Sequence, residues 1–145
     1  MVEEDKVENS FNIMQGTYLL GVYLKKDCLI EIGRFGKIPF KKGYYSYVGS
    51  ALGKSINLEN RLKRYEKLNK EKTGNLHWHI DYLLVQPYTK IIDIKIFKGK
   101  NRMECKISNM ISVLSKFSIK GFGCSDCNCK SHLHYFGKNY PFIRK

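Results

Sequence analysis

The sequence has no apolar run approaching the ~20 residues that a membrane-spanning helix needs. Its first residues are acidic, where a secretory leader carries a basic segment and then an apolar stretch, so export is not expected. No internal repeat recurs and no linker divides the 145 residues, which leaves a single domain long enough to bury a real core. A disulfide framework is missing as well. The five cysteines are an odd number, with Cys124, Cys127 and Cys129 crowded into six positions and Cys28 and Cys105 far away. Without a leader this pattern argues for reduced thiols or a metal, and for a cytoplasmic location.

Negative charge is also scarce. Asp and Glu number 13 against 26 Lys and Arg, a formal net charge of +13. Glu3, Glu4, Asp5 and Glu8 lie in the first ten residues, so the remainder is more basic than the total suggests. A strongly cationic surface attracts polyanions, nucleic acid being the commonest. The plainer account is a lysine-rich surface that serves solubility. Charge speaks to partners and not to chemistry.

The first dozen residues are polar and aperiodic and read as a loose tail. GTYLLGVYL, from Gly16 to Leu24, is β-prone and apolar on both faces, which suits a central strand. Lys25-Lys26-Asp27 is a compact polar turn, and Cys28 to Phe35 is expected to return as the second strand of a hairpin. A loop with Gly36, Pro39 and Gly43 leads to a third strand that ends at Gly49. Leu58, Leu62, Tyr65 and Leu68 recur at helical spacing over 56–69. Residues 79–85 and 91–97 are expected as strands. A second helix is expected over 102–117, with Met103, Ile107, Met110, Ile111 and Leu114 on one broad arc. A short strand at 133–136 follows a Gly- and Cys-rich loop. The fold class is therefore α/β (α+β): a small, mainly antiparallel sheet flanked by helices.

Arg61 is the most informative side chain. At about 100° per residue it falls inside the apolar stripe of the first helix, while Lys63, Lys67 and Lys70 face away. An unpaired guanidinium is costly to bury, so Arg61 needs a carboxylate or a phosphate partner. Glu31, Asp81 and Glu104 are the carboxylates at hand. Tyr65 stands one turn later on the same face. Glu104 lies just past the edge of the second helix's apolar arc, suited either to a divalent cation or to the ordinary life of a surface glutamate. Tyr18 and Tyr47 sit on strands, where aromatics are common for packing alone, but glycines flank both.

Gly16-Thr17-Tyr18 and Tyr47-Val48-Gly49, followed by Arg61 and Glu104, resemble the GIY-YIG nuclease superfamily. Thr17 and Val48 stand where that pattern has isoleucine. The closer likeness is to its Uri-type branch of short, mostly archaeal proteins. It is carried by GYYSYVGSALG from Gly43 to Gly53, LENRL from Leu58 to Leu62, HWHIDYL from His77 to Leu83, Glu104-Cys105, and GFGCSDCNCKSHL from Gly121 to Leu133. These phrases span about residues 14–137 as the nuclease-like domain, with 1–13 as an acidic tail and 138–145 as a basic one.

The resemblance implies a metal-dependent endonuclease acting on DNA, in repair or turnover of aberrant structures. Tyr18 and Tyr47 match the tyrosines that position or deprotonate the attacking water. Arg61 matches the arginine that binds the scissile phosphate, and Glu104 the single carboxylate ligand of Mg²⁺ or Mn²⁺. Tyr65 occupies a position where relatives carry histidine or tyrosine. No residue matches the superfamily's late asparagine with certainty of place; Asn128 and Asn139 are the candidates. Larger relatives carry a separate DNA-binding domain for which this chain has no room. Specificity must then be low, or come from a partner or a homodimer. Lys63, Arg64 and Lys67 are the candidate phosphate contacts outside the site, and RNA is not excluded as substrate.

His77, His79 and Asp81, two apart, would share one face of a strand and form an additional site or a hydrogen-bonded core edge. Cys124, Cys127, Cys129, His132 and His134 have zinc-ligand types. The Cys127-x-Cys129 step is tight, however, and Cys124 is a position where relatives often carry serine. An essential zinc is therefore not expected. The rival readings are a non-catalytic nucleic-acid-binding module and a zinc-loop domain that recruits a partner.

Overall fold

A computed structural model describes residues 15–52, 58–124 and 129–142 of the chain. Strand β1 (Gly16–Leu24) lies at the heart of a five-stranded antiparallel sheet, as its two-sided burial requires. Strands β4 (Gly43–Ala51) and β5 (Thr89–Lys98) pair with its two edges, and β7 (Leu133–Gly137) and β6 (Phe117–Ser118) extend the sheet beyond β4. The order is β5-β1-β4-β7-β6. Among the described residues, helices α1 (Leu58–Glu71), α2 (His79–Leu84) and α3 (Glu104–Leu114) complete this α+β domain.

The period-2 alternation of the central strands sorts the core into two layers. Tyr18, Leu20, Val22 and Leu24 of β1 and Tyr45 and Tyr47 of β4 face α1 and α2. Leu19 of β1 and Val48 of β4 face Ile107 and Ile111 of α3 instead. Tyr140 and Phe142 join this second layer, and the Tyr140 hydroxyl bonds Ser46 Oγ at 2.7 Å. Two residues of the expected basic tail, Tyr140 and Phe142, thus pack against the sheet, while Lys138, Asn139 and Pro141 stay exposed.

Strand β2 (Cys28–Glu31) does not return along β1. It pairs with β3 (Lys37–Phe40) in a separate two-stranded sheet, because β4 and β5 already occupy both edges of β1. Residues 79–84 form a helix where a strand was expected. Ile80, Leu83 and Leu84 are buried at i, i+3 and i+4, and Asp81 Oδ2 accepts the backbone N–H groups of His77 and Trp78 at 2.7 and 2.9 Å. That carboxylate caps the helix start and overrides the β propensity of the segment.

Helix α3 is rotated from the expected arc. Its buried stripe is Glu104, Ile107, Ser108 and Ile111, while Met110, Val113 and Leu114 are 64%, 81% and 63% exposed. Glu104 accordingly lies inside the buried stripe and not past its edge. No helix among the described residues is long and apolar enough to cross a membrane.

Candidate active site

Four separate elements converge on one cleft of about 370 Å³. Strand β1 supplies Tyr18, β4 supplies Tyr47 with Gly49 and Ser50, α1 supplies Arg61 and Tyr65, and α3 supplies Glu104. Helix α3 covers the face of the sheet opposite α1, yet its first residue stands where it lines the same cavity as Arg61. His77, Trp78, His79, Arg102 and His132 complete much of the wall.

The floor is phenolic. The hydroxyls of Tyr18 and Tyr65 share a 2.6 Å hydrogen bond, and the ring centroids of Tyr18 and Tyr47 are 6.4 Å apart. Gly49 faces Tyr18 across the β1–β4 ladder, and a Cβ there would overlap the Tyr18 hydroxyl. The glycine is needed for space, since its backbone is ordinary extended strand.

Burial raises the pKa of Tyr18, Tyr47 and Tyr65 above the usual phenol value. Arg61 works against burial at all three, but burial dominates, so the phenols stay protonated at neutral pH. They are hydrogen-bond donors. For Arg61 itself, desolvation opposes the charge and the surrounding tyrosines outweigh it, so its pKa is raised.

None of the three carboxylates weighed as partners compensates Arg61 by a close ion pair. Its guanidinium donates to Ser50 O at 2.6 Å and lies 5.0 Å from the centre of the Trp78 ring. Trp78 is 39% exposed and holds the guanidinium by a cation–π contact. Trp78 was not among the candidate site residues of the sequence, where it stands only within the HWHIDYL phrase.

Glu104 is 6% exposed, and its Oε1 lies 3.3 Å from Arg102 Nε. The Arg102 side chain is 54% exposed, so this ion pair sits at the mouth of the cleft with one partner buried and the other in water.

Arg64, a candidate phosphate contact, is committed elsewhere. Its guanidinium grips both oxygens of Asp81 at 2.9 and 2.7 Å and donates to Asn75 O at 2.7 Å. Asp81 is fully buried, so the pair is structural, tying α1 to the cap of α2. Removing Asp81 to that pair also dissolves the expected three-residue face with His77 and His79, because the segment is not a strand. The two histidines still line the cleft. Gly123 N–H donates to His79 Nδ1 at 2.9 Å, which puts the neutral ring's proton on Nε2, and burial lowers the pKa of this imidazole. Lys63 and Lys67 are exposed; Lys63 pairs loosely with Glu59 at 3.7 Å.

The cysteine-rich loop is only partly as expected. Cys129 Sγ lies 2.9 Å from His132 Nε2, and the third member of the group is Cys105 of α3. Cys124 instead directs its thiol to Phe122 O at 3.5 Å. His134 is held between the hydroxyls of Ser108 and Ser118 at 2.5 Å each. Cys127 and Asn128 lie outside the described residues. Cys105 stood outside the zinc-ligand candidates of the sequence because it is 24 residues from Cys129.

A family model described as a domain of unknown function, DUF123, matches residues 17–144. The chain belongs to this family. No curated protein and no solved structure matches it. The DUF123 match takes in the whole cleft, from Tyr18 to His132, together with Tyr140 and Phe142.

Proposed function

We propose that this chain is a divalent-metal-dependent endonuclease that hydrolyses phosphodiester bonds in DNA, working in the cytoplasm. The observation that carries the reading is the convergence of Tyr18, Tyr47, Arg61, Tyr65 and Glu104 on one cleft, from four elements distant in sequence. The GIY-YIG-like, Uri-type order of motifs in the sequence supports it. So does the excess of positive charge.

The residues divide the work by chemistry. Arg61, aligned by Ser50 O and stacked against Trp78, binds the non-bridging oxygens of the scissile phosphate and offsets charge developed in the transition state. Tyr18, Tyr47 and Tyr65 keep their protons and orient the attacking water by hydrogen bonds. Because burial raises their pKa values, they do not serve as the base.

Glu104 fits a magnesium or manganese ligand. One carboxylate facing an open cavity suits a hard cation that keeps most of its waters. Such an ion, when bound, neutralises phosphate charge and acidifies a water. Arg102 is the competitor, since it already pairs with Glu104, but its exposed side chain gives way at little cost. A binding module has no use for a buried carboxylate beside a phosphate-binding arginine, which favours the enzyme.

Supercoiled plasmid nicking by the purified full chain tests the reading. Nicking with Mg²⁺ or Mn²⁺ that stops with EDTA is expected. Absence of cleavage with either ion, on plasmid, single-stranded and branched DNA alike, would overturn it.

A further inference from the structure

We infer that Cys105, Cys129 and His132 form a binding site for one zinc ion, distinct from the Glu104 metal position and independent of the nuclease reading. Cys105 Sγ and Cys129 Sγ are 2.6 Å apart, and His132 Nε2 lies 2.9 Å from one sulfur and 3.8 Å from the other. All three donor atoms fall within 4.8 Å of one another. Two thiols and an imidazole converging on one point are the ligand types zinc takes in preference to magnesium or calcium.

The backbone fixes two of the ligands in advance. His132 N–H donates to Phe122 O and Val48 N–H donates to His132 O, both at 2.9 Å, which locks the histidine between the Gly-rich loop and β4. Cys105 is held on the first turn of α3. Zinc–sulfur bonds of about 2.3 Å place two tetrahedral sulfurs about 3.8 Å apart, so the thiols part by roughly an ångström on binding. Both cysteines are half-buried, and side-chain rotation supplies that movement.

Among the described residues three protein ligands converge, and a tetrahedral zinc takes a fourth donor beyond them. A second cavity of about 640 Å³, lined by Cys124, Cys129 and Lys130 among others, gives water and the ion a way in. The consequence is mechanical: a zinc here staples the loop that carries Gly123, the donor to His79, to the helix turn that carries Glu104. The loop alone argued against an essential zinc, with Cys124, Cys127, Cys129 and His132 weighed as its ligands; among the described residues it is Cys105 that joins Cys129 and His132.

Elemental analysis of full-length protein purified without chelator is the first test, and about one zinc per chain is expected. Cobalt substitution should add thiolate-to-metal charge-transfer absorption. Cys105→Ser and Cys129→Ser should each lose the metal and the cobalt bands, whereas Cys124→Ser should keep both. The wild-type stoichiometry stands even where a variant fails to fold. Zinc well below one per chain after growth with added zinc would overturn the site, as would a Cys105–Cys129 disulfide found by non-reducing mass spectrometry. So would retention of the metal by folded Cys105→Ser.

Discussion

The hydroxyls of Tyr18 and Tyr65 meet at 2.6 Å under the cleft, joining a strand to a helix across 47 residues. Both residues are 1% exposed, so they line the cleft with almost none of their surface open to bulk solvent. The bond holds the phenols as donors at the point where a phosphate and a water would meet Arg61.

Tyr65→Phe should leave the Tyr18 hydroxyl with one fewer partner and cost about 1–3 kcal/mol of stability. Tyr18→Phe should cost a similar amount, and the double variant less than the sum, because one shared bond is lost only once. Urea unfolding of the four proteins measures this coupling. Cleavage should fall further in Tyr18→Phe than in Tyr65→Phe. Strict additivity of the two substitutions would mean that the bond is not a working part of the floor.

Gly49→Ala tests the space under the same ring. The new methyl would overlap the Tyr18 hydroxyl, so the ring must tilt or β1 and β4 must part. Destabilisation of about 1–3 kcal/mol is expected, together with loss of cleavage in the protein that remains folded. A variant with wild-type stability and activity would show that Tyr18 is not confined by β4.

Glu104 and Arg102 should respond in opposite senses. Glu104→Gln should abolish cleavage while leaving DNA affinity nearly unchanged, since it removes a hard ligand without altering the basic surface. Arg102→Ala should lower the Mn²⁺ concentration needed for half-maximal nicking, because the carboxylate loses its competing cation. Metal titrations of nicking, with a parallel binding assay on uncleavable DNA, separate the two effects. Wild-type cleavage by Glu104→Gln would remove this residue from the metal site.

The buried phenols set an alkaline limit. Tyr18, Tyr47 and Tyr65 titrate above the ordinary phenol value in the folded chain because burial disfavours phenolate. Their raised folded-state values mean that stability is fully present below about pH 10 and is lost as pH rises through them, because the unfolded chain releases its protons first. Each contributes a slope of about 1.4 kcal/mol per pH unit in that window. Urea midpoints between pH 8 and 11 measure it, and Tyr65→Phe should shallow the fall. Unchanged midpoints up to pH 11 would contradict the burial of these groups as protonated donors.

Local pattern made much of this legible. The two-sided apolar run of β1 announced a central strand, and the spacing of Leu58, Leu62, Tyr65 and Leu68 announced α1 with Arg61 in its buried stripe. Both follow from periodicity, which needs no knowledge of distant contacts. Residues 79–84 misled because Ile80, Tyr82 and Leu83 suit either state. Only the Asp81 carboxylate, capping the turn and gripped by Arg64, decides for helix. The partner of β2 was equally hidden: a short polar turn suggests a hairpin, and nothing local says that both edges of β1 are already taken.

What the sequence determined by itself was the set of side chains able to do the chemistry and the class of elements that carry them. Which of them meet was decided by the tertiary structure alone. Arg61 and Arg64 stand three apart on one helix with the same charge, yet one lines the cleft under Trp78 and the other is spent on Asp81. Cys105 and Cys129, far apart in the chain, come together while Cys124 turns to a carbonyl. The reason is that a helix or strand period fixes only the face on which a residue stands. The partner that face meets depends on strand order and on the rotation of α3, which follow from packing the entire core at once.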